Sequence, residues 1–289
     1  MEQLPYHLNL NGRLMPLDRP RIMGILNCTP DSFYDGGHHA TAAAAVAHGL
    51  RMLDAGADLV DLGGQTTKPG AEDIGAAAEW ERIAPVLDGL LSARPDAAVS
   101  VDTFHADVAR RALAAGAAFI NDVTGGRDPE MWPVVAEAGA PYCLMHLRGT
   151  PATMQDHPTY EDVVDAVYAH LDAGLHAARE AGISDVVLDP GFGFGKTTAH
   201  NYALLAALDR LHVLGAPVLV GVSRKSMIWR PLGIEPAQAL NGTTALHAWA
   251  LERGAHLLRV HDVAAARETV ALHALLRGDA PLTPHLSPA

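Results

Sequence analysis

The sequence predicts a (β/α)8 barrel, on three observations. Short apolar, β-rich runs alternate with longer alanine-rich stretches of helical character, the runs number eight, and every run ends in polar side chains. Regular β-α alternation implies parallel strands joined by right-handed crossovers, and eight such units favour a closed barrel. A doubly wound sheet is the alternative.

The elements follow in order. Residues 1–19 precede the array as an extension, in which LNLNGRLMPL reads as a hairpin turning at Asn11-Gly12. The apolar run at 22–26 starts the barrel and a helix over 41–55 follows, closed by the alanine-glycine signal of DAGAD. The run at 59–62 leads to a helix over 76–93, the run at 98–101 to a helix over 106–115 that ends in AAGAA, and a fourth run lies at 118–120. A further cap signal, EAGAP, precedes the run at 142–145. A helix over 161–181 then closes on EAGIS, the run at 186–188 precedes a helix over 202–211, and the run at 218–222 precedes one over 237–252. The last pair is the run at 257–260 and a helix over 264–276. No linker-like composition or internal repeat interrupts residues 20–278, which read as one domain, and the tail at 279–289, with PLTPHLSPA, reads as frayed.

Composition narrows the function. The chain has 289 residues, within the range of a single α/β barrel. It has no apolar run of membrane-spanning length, and MEQLPYHLNLNGR lacks an apolar signal core, so the expectation is a soluble, cytoplasmic protein with no membrane partner. Cys28 and Cys143 form neither a metal spacing nor a disulfide framework. A net charge of −12 argues against a nucleic-acid partner, although a local cluster of bases can still hold a small anion. Lysine is rare: only Lys68, Lys196 and Lys225 occur, each beside glycine- or serine-rich loop sequence.

In a barrel the chemistry gathers where strands end. The eight runs end in Asn27, Asp61, Asp102, Asn121-Asp122, His146, Asp189, Ser223-Arg224-Lys225, and Arg259 with His261. One aspartate after a strand is ordinarily a cap or turn residue. Eight polar endings at one rim describe instead acceptors, Asp102, Asn121 and Asp189, facing donors, Lys225, Arg259 and His261. Such a set suits the N–H edge of an amino-oxo heterocycle. The neighbouring bases Lys68, Arg259 and His261 suit an attached anion.

The stretch LDPGFGFGKT, residues 188–197, imitates a nucleotide loop but fails both templates by one residue. A P-loop needs glycine where Pro190 stands, and a dinucleotide fingerprint begun at Gly191 needs glycine where Lys196 stands. Proline supplies no N–H to a phosphate cradle.

GILNCTPDSFYDGG, DLGGQTTKPGA, SVDT, FINDV, LMH, LDPGFGFGKT, VGVSRKS and RVHDV occur in the order and spacing of dihydropteroate synthases, a resemblance spanning about residues 21 to 265. It implies a (β/α)8 barrel, usually a homodimer, that joins 6-hydroxymethyl-7,8-dihydropterin diphosphate to p-aminobenzoate, releasing pyrophosphate with the help of Mg2+. Sulfonamides would compete with p-aminobenzoate. By the same resemblance Asn27 is the magnesium ligand, and Asp102, Asn121, Asp189 and Lys225 read the pterin. Thr67 contacts the diphosphate, and Arg259 and His261 bind phosphate. Phe194, Lys196 and Ser223 line the aminobenzoate side, with Lys68 in the loop that closes over it. Asp102, Lys225 and Arg259 are cast as the catalytic groups. Cys28 lies inside the first motif, but nothing in this chemistry needs a thiolate.

Three departures from the family pattern stand out. Gln65-Thr66-Thr67-Lys68 replaces glutamate-serine-threonine-arginine, keeping a positive charge but losing the bidentate fork. Trp229 replaces a glycine after SRKSMI, and LNGTTA replaces the usual glycine-serine. A catalytically silent pterin-binding paralogue and a pterin-dependent methyltransferase acting on a cobalamin protein remain as alternatives. The altered second loop keeps the first alive, whereas the second has no need of the SRKS and RVH motifs.

Overall fold

The computed structural model describes residues 6–28, 37–66, 70, 72–150, 153–154 and 158–279. The chain opens with β1 (His7–Leu10) and β2 (Arg13–Pro16), paired antiparallel across Asn11-Gly12. Both turn residues have positive φ, 52° and 82°, as a two-residue hairpin requires.

Eight parallel strands follow, with helices between them. They are β3 (Arg21–Asn27), α1 (Gly37–Asp54), β4 (Leu59–Gly63), α2 (Ala76–Ala93), β5 (Val99–Asp102), α3 (Ala106–Ala114), β6 (Phe119–Asp122) and α4 (Met131–Ala138). Then come β7 (Tyr142–Met145), α5 (Val163–Glu180), β8 (Val186–Asp189), α6 (Thr198–Ala206), β9 (Leu219–Val220), α7 (Ser226–Leu232), α8 (Leu240–Glu252), β10 (Leu257–Val260) and α9 (Val263–Arg277). The sheet runs β8-β7-β6-β5-β4-β3-β10-β9. A parallel bridge between Leu188 and Val218 ties its two end strands, so the sheet forms a nearly closed barrel and the doubly wound alternative falls.

The helix expected over 76–93 coincides with α2, but other elements depart from expectation for local reasons. The run at 218–222 yields only the two residues of β9, because the chain turns at once, with Lys225 N–H donating to the Val222 carbonyl at 3.1 Å. The helix expected over 202–211 starts earlier, where the Thr197 hydroxyl caps the His200 N–H, and gives way to a 3-10 turn at Leu208–Leu214. Helices α4 and α7 were not assigned ranges from sequence. Each carries a proline, Pro133 or Pro231, that blurs the helical period. Gly139 ends α4 in the left-handed conformation that EAGAP signalled. Residues 280–289, most of the tail read as frayed, lie outside the described residues.

Apolar packing forms two layers. Leucines, isoleucines and valines on the outer strand faces meet the buried faces of the helices. Inside the barrel, Met23, Leu59, Phe119, Cys143, Val187, Leu219 and Leu257 pack on Leu8, Leu10, Met15 and Leu17 from the hairpin region, which plugs the bottom. Asp185 fixes the plug by accepting the Asn9 N–H at 2.7 Å. A packed floor leaves only the opposite end of the barrel open to a ligand.

Leu8 is 1% exposed and Leu14, two positions past the turn, is 64% exposed. Leu8→Ala should therefore cost about 2–5 kcal/mol in urea unfolding, from lost burial and the cavity left behind. Leu14→Ala should change stability by no more than about 0.5 kcal/mol. Equal effects would show that the hairpin does not act as a plug.

Candidate functional site

Strand alternation builds the site. Successive side chains on a strand point to opposite faces, so those two residues beyond the apolar floor face inward again. These are Asp61, Ser100, Asn121, Met145, Asp189 and Arg259, and one step further Asn27, Gly63, Asp102 and His261 reach the mouth. Apolar side chains seal the bottom, and polar ones occupy the upper barrel.

The centre of this polar layer is Asp61, fully buried. Its Oδ1 accepts the Ser100 hydroxyl at 2.6 Å, and its Oδ2 accepts Asn121 Nδ2 at 2.9 Å and Arg259 Nε at 2.6 Å. Arg259 Nη2 donates in turn to Asp102 Oδ2 at 2.7 Å. Burial pulls the guanidinium's pKa down, but Asp61 and Asp102 more than offset it, and Arg259 stays charged. Burial raises the Asp102 carboxyl to about 7, with Arg259 opposing and Asp61 adding to the rise. Asp61 closes the second apolar run but was not among the expected site residues. Its inward parity with Leu59 was the available signal.

On the other side of the mouth, Asp189 is buried and its Oδ1 accepts the Gly191 N–H at 2.7 Å. Burial raises its pKa against the pull of Lys225. Lys225 donates to the Phe192 carbonyl, and its ammonium lies 4.5 Å from the centre of the Phe194 ring. Burial lowers this lysine to about 8. Phe194 packs with Phe104 against Val123, Met145, Leu147 and Met154, which gives the mouth an apolar wall.

The other expected residues are held by contacts within the protein. Lys196, expected beside the aminobenzoate, is 3% exposed. Its ammonium meets His146 Nδ1 at 2.8 Å, the Gly191 carbonyl at 2.9 Å and the Phe194 carbonyl at 3.1 Å, making it a strut under the loop. Burial lowers its pKa to about 7. Ser223, expected on the same side, is buried, and its hydroxyl engages the His261 N–H at 3.1 Å and His261 Nδ1 at 3.0 Å. His261 was expected as a cation. Desolvation of its ring, with Arg259 adjacent, holds its pKa well below the usual imidazole range, so it is neutral near pH 7. Because Ser223 accepts the backbone N–H, its own proton can go to Nδ1, which leaves Nε2–H as the outward donor. Arg259, expected to hold phosphate, spends two of its three nitrogens on carboxylates.

Glycine shapes the LDPGFGFGKT turn. Gly191, Gly193 and Gly195 all have positive φ, and a Cβ on Gly191 would lie 2.0 Å from the His146 carbonyl oxygen. Thr197, which completes the apparent Gly-Lys-Thr, caps α6 instead. Asn27 ends β3 beside Gly63, where an added Cβ would lie 3.5 Å from Asn27 Oδ1 and 3.9 Å from Asp102 Oδ2. Thr67 and Lys68 lie outside the described residues, while Gln65 is buried. Burial pushes the Cys28 thiol up to about 12, which leaves it inert as a nucleophile. Trp229 lies in α7, partly buried, with the Arg230 guanidinium 5.3 Å from its ring centre.

Comparison with known proteins points one way. The family model described as pterin binding enzyme matches residues 23–261. A dihydropteroate synthase of Escherichia coli (strain K12) is 43% identical over 261 residues, which are 90% of this chain and 91% of that protein. The structure of the Xanthomonas albilineans dihydropteroate synthase with 4-aminobenzoic acid superposes with a TM-score of 0.90 at 47% identity, covering 96% of this chain and 100% of that one. The Yersinia pestis dihydropteroate synthase in a sulfonamide drug complex does so with a TM-score of 0.89 at 42% identity, covering 94% and 100%.

Asp61→Asn should lower stability by about 3 kcal/mol in thermal or urea unfolding, because it weakens the pairing of a buried guanidinium. Asp88→Asn, on the exposed face of α2, should stay within about 0.5 kcal/mol of wild type. A neutral Asp61→Asn would mean that Asp102 alone balances Arg259.

Proposed function

The chain belongs to the pterin binding enzyme family, and from that membership and the barrel-mouth geometry we infer that it is a dihydropteroate synthase. It joins 6-hydroxymethyl-7,8-dihydropterin diphosphate to p-aminobenzoate, giving 7,8-dihydropteroate and pyrophosphate. One observation carries the site assignment: three polar groups of the upper barrel each have one atom held by the protein and one left for a ligand. Asn121 donates its amide N–H to Asp61 and keeps its carbonyl oxygen, Asp102 accepts the Arg259 N–H at Oδ2, and Asp189 accepts the Gly191 N–H at Oδ1. The remaining oxygens, with Lys225 as donor, match the amino-oxo edge of a pterin held against the Met145 and Val123 wall.

The reaction breaks the C–O bond at the pterin methylene, and pyrophosphate leaves with the bonding pair. The aniline nitrogen forms the new C–N bond and sheds one proton. No general base or covalent enzyme intermediate is required, since the aniline is already a free nucleophile. The chain's part is to orient the ring and to place charge in advance. Ionised Asp102 favours positive charge on the methylene, while the His261 Nε2–H and the remaining Arg259 nitrogen face the leaving group.

Magnesium fits the oxygen donor at Asn27, and we propose that this side chain holds it together with the substrate's diphosphate. Among the described residues no group of three or more acidic, histidine or cysteine side chains forms a cage, which suits an ion bound largely through substrate phosphates and water. When bound, it would neutralise charge on the diphosphate. A homodimer is proposed on the exposed apolar residues of α7 to α9, namely Leu232, Leu240, Trp249, Leu272 and Leu276. A cytoplasmic location is proposed on two free thiols, Cys28 and Cys143. Competitive inhibition by sulfonamides is proposed by analogy with the Yersinia pestis complex.

The deciding experiment incubates purified protein with the pterin diphosphate, magnesium and p-aminobenzoate. Pyrophosphate and dihydropteroate in equal amounts are expected. Pterin binding without turnover would indicate a silent paralogue. A pH series tests the site: a protonated Asp102 offers a ligand N–H only a neutral oxygen in place of a carboxylate, so pterin binding should weaken as pH falls through about 7, by at most roughly tenfold per pH unit below it. Flat binding between pH 8 and 5.5 would remove Asp102 from the contact. Lys68→Arg should change the sulfonamide inhibition constant, because it restores a bidentate fork. Identical constants would dismiss that loop difference as silent.

A further inference from the structure

We propose that His105 is a positioning residue for the reaction: its imidazole bridges Glu79 of α2 and Asp73, and so holds the far limb of the second loop, residues 72–75, against the barrel mouth. The proposal rests on the dihydropteroate synthase reading.

Glu79 is fully buried. Its Oε2 accepts the Thr103 hydroxyl at 2.9 Å and lies 2.7 Å from His105 Nδ1, while its Oε1 is buried without a hydrogen-bond partner. The other ring nitrogen of His105 lies 3.2 Å from Asp73 Oδ2. With a carboxylate at each nitrogen, only an imidazolium can donate at both, and the ring is the cation that balances a buried charge. The bond to Glu79, ahead of the opposing effect of burial, raises the histidine's pKa, with Asp73 adding to the rise.

The bridge ties together parts of the chain that the reaction needs in register. Asp73 also accepts the Gly75 N–H at 2.8 Å, so it organises the limb that enters α2. Glu79 underlies the near limb as well: a Cβ on Gly64 would lie 2.9 Å from both its Cγ and its backbone oxygen. Gln65, next along, is buried with its Nε2 unpartnered. The two limbs on Glu79 thus flank the span that carries Thr67 and Lys68. His105 itself lies three residues past Asp102 on the exit of β5, so the bridge registers the second loop to the carboxylate assigned to the pterin.

Other charges face the same place. Glu72, Arg127 and Asp128 line, with His105 and Asp73, a cavity of about 440 Å³, and Asp128 accepts the Ala106 N–H at 2.9 Å. The Phe104 ring packs on the imidazole with centroids 4.5 Å apart. The bridge is complete only while the ring is protonated. It is therefore intact at low pH and is lost as pH rises through a value above the usual imidazole range.

The test compares His105→Ala, Asp73→Asn and His105→Lys with wild type, whose own turnover decides the underlying reading separately. Asp73→Asn leaves the buried Glu79–His105 pair in place and so separates positioning from folding. His105→Ala and Asp73→Asn should both raise KM for p-aminobenzoate roughly tenfold while pterin affinity in its absence changes less than about twofold. His105→Lys, permanently charged in this range, should restore most of that loss. Wild-type kcat/KM should fall on the alkaline side more steeply than that of His105→Lys, which keeps only the limb that Lys225 contributes to both. Wild-type KM in both Asp73→Asn and His105→Ala would overturn the proposal. So would an alkaline limb unchanged in His105→Lys, which would belong to another group such as Lys225.

Discussion

The ion network of Asp61, Arg259 and Asp102 is the constraint on which the rest of the mouth depends. A guanidinium inside a barrel is tolerable only if its charge is met at hydrogen-bond distance, and here two carboxylates meet it at 2.6 Å and 2.7 Å. Once Arg259 is held, Asp61 has one oxygen shared with Asn121, which orients that amide with its donor inward and its acceptor available. Asp102 is held through one oxygen only. One buried pair thus presets the hydrogen-bond polarity of two groups of the upper barrel, which is the sense in which a site is preorganised.

Much of this was legible in the sequence, and the limit has a physical origin. Alternating apolar runs and helices implied the barrel because burial periodicity is a local property. Polar residues at the strand ends implied the rim for the same reason. Pairing is not local: Arg259 and Asp61 are 198 positions apart, and no spacing says that one will spend its donors on the other. Arg259 was therefore legible as a cation but not as a cation already engaged. Ser223 and His261, 38 positions apart, are a second instance, since no spacing says that the serine hydroxyl will engage the histidine ring. Elements were missed for a different reason. The segments of α4 and α7 are only eight and seven residues long and each contains proline, too little sequence for a helical period to declare itself.

The glycine-rich turn after β8 combines both lessons. Its three alternating glycines adopt positive φ so that the backbone can cross close to the His146 and Arg148 carbonyls. That crossing buries carbonyl groups of the turn itself, and the Lys196 ammonium satisfies those of Gly191 and Phe194. A lysine that follows glycines in a loop is ordinarily read as facing a phosphate. Here it braces the turn from below, the following threonine caps a helix, and the Asp189 carboxylate stands at the head of the turn.

Charge balance at the mouth finally bears on how a diphosphate is received. Arg259 is largely neutralised by Asp61 and Asp102, and Lys225 sits near Asp189, so the described rim brings little uncompensated positive charge. His261 is a neutral donor. A leaving pyrophosphate therefore meets hydrogen-bond donors rather than a surplus of cations. The balancing charge has to come from groups outside this network, and magnesium at Asn27 and the Lys68 ammonium are the two proposed for it. Because the described part of the mouth is already balanced, an added cation there counts for more than it would beside a free arginine.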